Sequence, residues 1–396
     1  MQMTFRWYGS HDTVPLQYIR QIPSVRGIVS ALYDAPVGAA WPVASIARLQ
    51  DRIADEAMTL AVIESIPVHE DIKLGRPSRD AFIDAYCTSI ARVGAAGVPV
   101  VCYNFTPIFD WTRTALAMPL PDGSTTLAYE HAALERMDLP RGTGELPGWN
   151  TAYDADVLRA LRMAWRAVDG EQLWENLAYF LERAIPVAES AGVRMAIHPD
   201  DPPWPIFGLP RVVVDAPSLR RVLSLIDRPA NGLTFCTGSL GASAGNDLRS
   251  MVREFGARSQ IHFMHCRNVQ RTASRDFHEV AHPSACGDVD MRGVMQALCD
   301  VGFAGVVGGS LLLVFITARE HRAKYQTDET DDDRPQQGRH EPAHGKCNVE
   351  SSRHPCGEHE HQRVQDQRKQ PQRDKLNWER EKREDGSDKR VDNTEN

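Results

Sequence analysis

Short apolar runs rich in β-branched residues recur along the chain, and each is followed by a stretch long enough for a helix. Apolar runs of this length, bounded by polar or turn residues, are typical of buried β-strands. The eight predicted strands are Thr4–Tyr8, Gly27–Leu32, Leu60–Ile66, Val98–Asn104, Val193–His198, Gly232–Thr237, Gln260–Arg267 and Phe303–Val307.

Between these runs, apolar residues recur at intervals of three and four, which is the spacing of one buried helix face. The predicted helices include Pro42–Asp55, Ser78–Ala95, Gln172–Ala191, Pro217–Ile226, Asn246–Phe255 and Asp290–Val301. Parallel strands need crossover helices, so the alternation predicts an α/β protein with a parallel (β/α)₈ TIM barrel. A doubly wound open sheet competes with it, but that fold normally carries a glycine-rich phosphate loop after its first strand. Neither GxGxxG nor GxxxxGK[ST] occurs in this chain.

The connection between the fourth and fifth predicted strands, residues 104–192, is much longer than a simple crossover. Its first part, Ile108–Asn150, is rich in Trp, Pro and Gly. Long loops in compact domains are usually lids or binding loops. We therefore interpret this segment as a lid-like insertion over one mouth of the barrel, within a single barrel domain that covers residues 1–307.

The end of the chain has a different composition. Residues 326–396 contain eight apolar residues among 71, with 14 Lys/Arg and 18 Asp/Glu. Such a segment cannot bury enough apolar surface to offset the entropy cost of ordering it. We expect residues 308–396 to form a divergent, largely disordered polar tail behind the barrel domain.

Several classes of protein are disfavoured by the sequence. The apolar run Ser310–Ala318 is too short to span a bilayer, and the N-terminus lacks the features of a signal peptide. The eight cysteines include no CxxC pair, so we expect reduced thiols and a cytoplasmic protein. The formal net charge of −8 is spread along the chain without a basic patch. We therefore expect neither a nucleic acid nor a membrane as a partner.

Three neighbouring predicted strands end in residue types that bind metals: His198 in AIHPDD, Cys236 in TFCTGS and His265 in HFMHCRN. In a TIM barrel the carboxyl ends of the strands converge on the active site. Imidazole and thiolate are good ligands for a divalent transition metal. Any one of the three alone is more often a buried core residue, but their recurrence at the same end of successive strands predicts a metal site. Cys266 should point the opposite way from His265 and pack against a helix.

Other polar residues are expected near the same rim. On the loop HPDDPPWPIFGLPR, Asp200 is a candidate for orienting the His198 imidazole or binding substrate, whereas Asp201 is interpreted as making local backbone bonds in a proline-stiffened turn. Polar groups at barrel strand ends suit a hydroxylated, anionic substrate. The further candidates are Arg6, Tyr8, Glu64, His69, Asn104, Trp204, Arg211, Arg267 and Asn268.

Long motifs of unusual composition in this chain resemble the mannonate dehydratase family. The motifs are MTFRWYG, QIP, ALYDAPVG, VIESIPVHEDIKLG, VCYNF, FDWTRT, PLPDGS, LPGW, AIHPDDPPWPIFGLPR, TGSLGA and RNV, between Met1 and about Val307. The resemblance implies a barrel of the xylose-isomerase type that converts D-mannonate to 2-keto-3-deoxy-D-gluconate and water in glucuronate catabolism. It also implies a divalent metal, Mn²⁺ or Fe²⁺, bound by His198, Cys236 and His265. A thiolate would accept Zn²⁺ as well.

The resemblance also suggests which groups hold the sugar acid. Arg267 and the insertion residues Trp111 and Arg113 are expected to contact D-mannonate. The expected substrate-binding residues are therefore Arg6, Tyr8, Asn104, Trp111, Arg113, Asp200 and Arg267. A homo-oligomer is compatible with the sequence.

The family pattern stops after Val307. The family continues with an Arg-Pro-Asp-His-Gly-Arg motif that supplies a fourth metal ligand, an Asp, and a His for proton transfer, followed later by a Tyr and the last barrel helices. This chain instead reads GGSLLLVFITAREHRAKYQ. We therefore name no catalytic residue, and we predict a barrel that is incomplete at its C-terminal end, with exposed apolar surface near the first and last strands.

Two explanations of the altered end compete. A reading-frame change near codon 308 is favoured, because family pattern and periodicity end at one point; a functional extension is the other. The tail's Cys and His residues lack the close Cys pairing of a structural zinc site, and its acidic run lacks the glycine of an EF-hand loop. These residues are Cys347, His354, Cys356, His359 and His361, and the run DETDDD. The alternatives to an active dehydratase are a sugar isomerase or epimerase of the same barrel type, and a noncatalytic remnant.

Overall fold

A computed structural model describes residues 1–137 and 155–308 of the chain. Numbered along the chain, the strands in these ranges are β1 (Gln2–Arg6), β2 (Val25–Ser30), β3 (Thr59–Glu64), β4 (Val100–Tyr103), β5 (Ala115–Pro119), β6 (Thr125–Tyr129), β7 (Arg194–Ile197), β8 (Asn231–Cys236), β9 (Ile261–His265), β10 (Asn268–Ala273), β11 (Asp276–Val280) and β12 (Val306–Gly308). Eight of them close a parallel barrel in the order β1-β12-β9-β8-β7-β4-β3-β2. The predicted TIM barrel is confirmed, and the predicted strands differ from these eight only at their ends.

The barrel closes between its first and last strands. Val306 of β12 pairs with Gln2 of β1 on one side and with Phe263 of β9 on the other. In addition, Thr4 Oγ1 donates a 2.9 Å hydrogen bond to the Val307 carbonyl. The sheet is therefore continuous around the barrel. The helices predicted to be missing, and the whole polar tail after Gly308, lie outside the described residues.

Amphipathic helices cover the outside of the barrel. The helices are α1 (Leu16–Ile19), α2 (Val43–Ala54), α3 (Glu70–Lys73), α4 (Arg79–Ala95), α5 (His131–Glu135), α6 (Ala155–Trp165), α7 (Gly170–Ser190), α8 (Ala216–Leu225), α9 (Thr237–Gly241), α10 (Leu248–Ala257) and α11 (Met291–Asp300). Four of the long ones begin at an aspartate whose side chain accepts a backbone N–H of the first turn, as Asp215 does in a capping box with Ser218. The six helices predicted from periodicity are all present.

Alternation along the strands divides the core into two layers. Residues that point into the barrel, including Val62, Val100 and Phe263, form a small inner cluster. Their neighbours, including Met264 and Cys266, join the larger cluster between strands and helices. Cys266 is fully buried on the outer side, so its predicted packing role is confirmed.

Part of the predicted insertion forms a second, antiparallel sheet. The hairpin β5-β6 from the insertion pairs with the hairpin β10-β11, in the order β10-β11-β6-β5. We did not predict the β10-β11 hairpin, although its alternating runs flank a two-residue turn, Ser274-Arg275. The second half of the hairpin pairs with β6 through Phe277 and His278. Residues 138–154 of the insertion, including the LPGW motif, lie outside the described residues.

The described helices and cysteines bear on the predicted class of protein. In the described ranges, no helix combines the length and the apolar composition needed to cross a membrane. The six cysteines in the same ranges are free thiols.

One buried histidine of the barrel makes stability depend on pH. His262 is 2% exposed, and its Nδ1 lies 2.8 Å from the Met195 carbonyl, so Nδ1 donates. Burial lowers the pKa of His262 to about 4, although the Met195 hydrogen bond opposes that shift. In the unfolded chain its pKa is about 6.5, so the unfolded state binds more protons between the two values. Stability is therefore lost as pH falls from about 6.5 to about 4, by up to about 3 kcal/mol from this residue.

We expect His262→Gln to reduce the loss of unfolding free energy between about pH 6.5 and about pH 4, as measured by urea unfolding at several pH values. His11→Gln, at an exposed position, is the matched control and should leave the slope as it is in the parent chain. An unchanged slope in His262→Gln would show that this histidine does not resist protonation.

Candidate metal centre and active-site pocket

The three predicted metal ligands lie together at the carboxyl end of the barrel. Cys236 ends β8 and pairs in register with His265, which ends β9, while His198 follows β7 directly. One ligand atom from each of the three residues lies within 4.8 Å of the others. The barrel topology thus brings together side chains that are 29 to 67 positions apart in sequence.

The His198 imidazole is oriented by the ring nitrogen that points away from the other two ligands. His198 Nδ1 lies 2.7 Å from the Pro199 carbonyl, so that nitrogen donates and Nε2 keeps its lone pair. His198 Nε2 and His265 Nδ1 face each other at 3.1 Å. Two nitrogens bound to one tetrahedral metal ion lie about 3.3 Å apart, so the pair has the right spacing for a shared ion. The donor set of two imidazoles and one thiol fits a divalent transition metal.

The sulfur of Cys236 is fully buried among donors. Ser239 Oγ lies 3.2 Å and the Ser239 backbone N–H 3.5 Å from Sγ, and Arg267 Nη2 lies 3.2 Å from it. Burial would raise the pKa of the Cys236 thiol, but Arg267 and then His198 and His265 hold it well below its usual range. The thiolate is the form of cysteine that binds metals.

Glu64, at the end of β3, completes the surroundings of His265. Its Oε2 lies 3.4 Å from His265 Nε2 and 2.5 Å from Arg6 Nη1. Burial would raise the pKa of Glu64, but Arg6 and His265 hold it well below its usual range. Burial would lower the pKa of His265, but Glu64 and Cys236 raise it to about 9. We placed Glu64 at the rim from sequence, but its contact with a metal ligand was not predicted.

Arg6, Glu64, His198 and His265 line a cavity of about 430 Å³, within the range of small-molecule sites, whereas Cys236 lies buried behind its wall. Five of the seven predicted substrate-binding residues line it: Arg6, Tyr8, Asn104, Trp111 and Arg267. The second sheet contributes to the wall through Leu127 of β6 and Glu279 of β11. Gly308 at the end of β12 also lines the cavity, so this is the strand end at which the family's Asp-His motif was expected.

Asp200 and Arg113 do not line the pocket, so their predicted substrate contacts are not supported. Asp200 is 2% exposed, because it accepts hydrogen bonds from Thr106 Oγ1 and from the backbone N–H groups of Val212 and Val213. It holds the loop together instead. Arg113 is 1% exposed because its guanidinium is held by two carboxylates, Asp201 and Glu279.

The interpretation of Asp201 as a local turn residue is wrong. Its side chain is 1% exposed and accepts from Arg113, Arg267 and Ser239, none of which is local. Burial would raise the pKa of Asp201, but the two arginines hold it well below its usual range. The four residues Arg113, Asp201, Arg267 and Glu279 form what we call the buried ion cluster, which holds two positive and two negative side chains.

Asp110 was not predicted from the sequence, although it stands in the FDWTRT motif. It lines the pocket, and burial raises its pKa while a hydrogen bond with Asn104 opposes the rise. The remaining rim candidates serve the structure around the pocket. His69 stacks on Phe82 and caps α3, Trp204 donates to Tyr129 Oη, Arg211 donates to the Phe109 carbonyl, and Asn268 donates to the carbonyls of Ala281 and Pro283.

Comparison with known proteins agrees with this geometry. The family model described as D-mannonate dehydratase (UxuA) matches residues 1–347, so the match extends beyond Val307, where the resemblance in the motifs ends. Mannonate dehydratase 2 of Halalkalibacterium halodurans is 49% identical over 305 residues, covering 77% of this chain and 88% of the relative. The mannonate dehydratase of Thermotoga maritima is 49% identical over 318 residues, covering 78% and 88%.

A solved structure shows the same fold. The crystal structure of mannonate dehydratase from Streptococcus suis serotype 2 matches with a TM-score of 0.72 and 46% identity, covering 78% of this chain and 85% of that chain. The match in sequence and in fold has one explanation: this chain belongs to the mannonate dehydratase family.

Proposed function

We propose that this chain is a cytoplasmic, metal-dependent dehydratase that converts D-mannonate to 2-keto-3-deoxy-D-gluconate and water. The observation that carries the proposal is the ligand set of His198, Cys236 and His265, whose two histidines line a pocket with many polar residues, in a chain of this family. Mn²⁺ or Fe²⁺ is the metal that the family resemblance favours. The proposed alternative of a sugar isomerase or epimerase finds less support, because the relatives at 49% identity carry the dehydratase name.

A metal bound at this centre would polarise carboxylate and hydroxyl oxygens of the sugar acid and so make the proton at C2 more acidic. The chain itself supplies charge and orientation around that point. Arg6 and Arg267 line the pocket wall, where Arg6 is paired with Glu64, and Arg267 with Asp201 and Glu279. Glu64 contacts both Arg6 and His265, so one carboxylate orients a cation of the pocket and a metal ligand.

Two polar groups on the β4 side of the pocket suit the sugar hydroxyls. Asn104 follows β4, and Asp110 lies six residues further along the chain, in the insertion. Both residues line the pocket. Burial raises the pKa of Asp110, whose carboxyl oxygens can accept hydrogen bonds from sugar hydroxyls.

The sequence predicts that turnover is slow. The family's Asp and His after β12 are replaced by the GGSLLLV stretch, so a metal ligand and a proton-transfer group expected at the pocket are lost from the sequence. We expect the full chain loaded with Mn²⁺ or Fe²⁺ to bind D-mannonate in calorimetry but to form 2-keto acid more slowly than the Streptococcus suis relative.

The separate readouts distinguish the alternatives. Turnover equal to that of the relative would contradict the predicted defect. Binding of metal and mannonate with no turnover at all would support the noncatalytic remnant, and failure to bind a divalent metal would overturn the proposed site. The nucleotide sequence around codon 308 tests the reading-frame explanation, because a frame that restores the Asp-His motif would establish it.

A further inference from the structure

Arg267 contacts the sulfur of the metal centre and the buried ion cluster with the same nitrogen. Nη2 lies 3.2 Å from Cys236 Sγ, 2.6 Å from Asp201 Oδ2 and 2.9 Å from Ser239 Oγ. The other terminal nitrogen, Nη1, lies 2.8 Å from Glu279 Oε1. The guanidinium therefore connects the end of β8 with the second sheet.

We propose that Arg267 is a positioning residue that fixes the Cys236 thiolate for metal binding and couples it to the second sheet. This inference rests on the proposed function, since it concerns the same metal centre. It differs from the substrate contact predicted from sequence, because the arginine acts here through the cysteine.

Arg113 restricts the position of Arg267 by binding the same two carboxylates. Arg113 Nη1 and Nη2 lie 2.8 and 3.2 Å from the two Asp201 oxygens, and Nη2 lies 2.9 Å from Glu279 Oε1. Each carboxylate is thus shared by both arginines. A residue whose partners are themselves held on both sides has little freedom to turn away from the sulfur.

The backbone leaves room for this arrangement at Gly238. A Cβ atom at this position would lie 2.8 Å from Arg267 Nε and 2.9 Å from Arg267 Cβ. Such contacts would push the guanidinium off the sulfur. The glycine in TGSLGA therefore permits the close approach, and the planar fork of arginine is what reaches sulfur, Asp201 and Glu279 together.

The second sheet is coupled to the sulfur through the same atoms. Glu279 lies on β11, and Arg113 stands two residues before β5, so both hairpins of that sheet are tied to Arg267. Leu127 and Glu279 of this sheet line the pocket. A change at Arg267 should therefore alter the sulfur's surroundings and the pocket wall together.

The test uses the full chain loaded with Co²⁺, whose sulfur-to-cobalt charge-transfer band reports on the Cys236 ligand. We expect Arg267→Gln to shift or weaken that band and to lower Co²⁺ affinity about 10–100-fold in chelator competition, as for other residues that orient metal ligands. Arg271→Gln, on β10 but bonded to the Gly241 carbonyl, is the matched control and should leave both readouts unchanged.

Each outcome separates this inference from the proposed function. No Co²⁺ binding by the parent chain would overturn the metal centre itself. A folded Arg267→Gln with weaker mannonate binding but an unchanged band and Co²⁺ affinity would make Arg267 a substrate ligand only and overturn this inference. If Arg267→Gln does not fold, Glu279→Gln decides, since it removes the carboxylate charge 2.8 Å from Arg267 Nη1 without changing a contact of the sulfur: a shifted band supports the inference and an unchanged band overturns it.

Discussion

Replacing Cys236 by serine is expected to lower the affinity for a divalent metal about 10²–10³-fold and to abolish dehydration of D-mannonate. The thiolate is the one anionic ligand among the three, and its low pKa depends on Arg267 and the two histidines. A serine hydroxyl stays protonated at neutral pH and is a poor ligand for a transition metal. It would also leave the Arg267 cation beside a neutral group in a buried site.

Chelator competition with Mn²⁺ and Zn²⁺ measures this loss, and the sulfur-to-cobalt band should vanish in the same variant. Cys266→Ala is the matched control, because Cys266 is equally buried on the neighbouring strand but points away from the centre. It should keep the metal and lose stability only. Parent-like affinity in Cys236→Ser would show that the cysteine is not a ligand.

The metal ligands could be predicted from sequence because the barrel fixes where they meet. His198, Cys236 and His265 each stand at the end of an apolar run, and the runs are successive parallel strands. Parallel neighbours end at the same edge of the sheet, so the strand order alone brings the three together. The opposite direction of Cys266 follows from strand alternation for the same reason.

The partners of these ligands could not be predicted in this way. Glu64 reaches His265 across the barrel from β3, which is not a neighbour of β9 in the sheet. Asp200 and Asp201 are adjacent and chemically identical, yet one binds backbone N–H groups and the other two arginines. Which carboxylate turns toward the arginines depends on packing between the loop and the second sheet, which has no local signal in the sequence.

The buried ion cluster also explains why Arg113 does not line the pocket, although the sequence predicted a substrate contact for it. An arginine in an insertion over a pocket suits an anionic substrate, but this one is satisfied by protein carboxylates. Glu279, which holds it, lies 166 positions away on a hairpin that we did not predict. Because each arginine depends on both carboxylates, removal of one member should affect the whole cluster.

Asp201→Asn is expected to destabilise the barrel domain by about 3 kcal/mol at neutral pH, because it leaves the buried Arg113 and the partly exposed Arg267 with one carboxylate between them. Arg113 and Arg267 hold the pKa of Asp201 below its usual range, so the folded state releases this proton more readily than the unfolded chain does. The stabilisation is complete above the unfolded pKa of about 3.9 and is lost as pH falls below it. The difference between parent and variant in urea unfolding should therefore be constant down to about pH 5 and shrink below about pH 4.

A double variant tests whether charge balance is the cause. Arg113→Met with Asp201→Asn removes one charge of each sign and leaves Arg267 paired with Glu279. The double variant should therefore lose less free energy of unfolding than the two single variants lose together, since each single change leaves an uncompensated charge in the cluster. Asp122→Asn, at an exposed turn between β5 and β6, is the control for the amide substitution and should have little effect. Additive losses in the double variant would mean that Asp201 acts through packing and local hydrogen bonds, and that the four side chains do not act as one ionic unit.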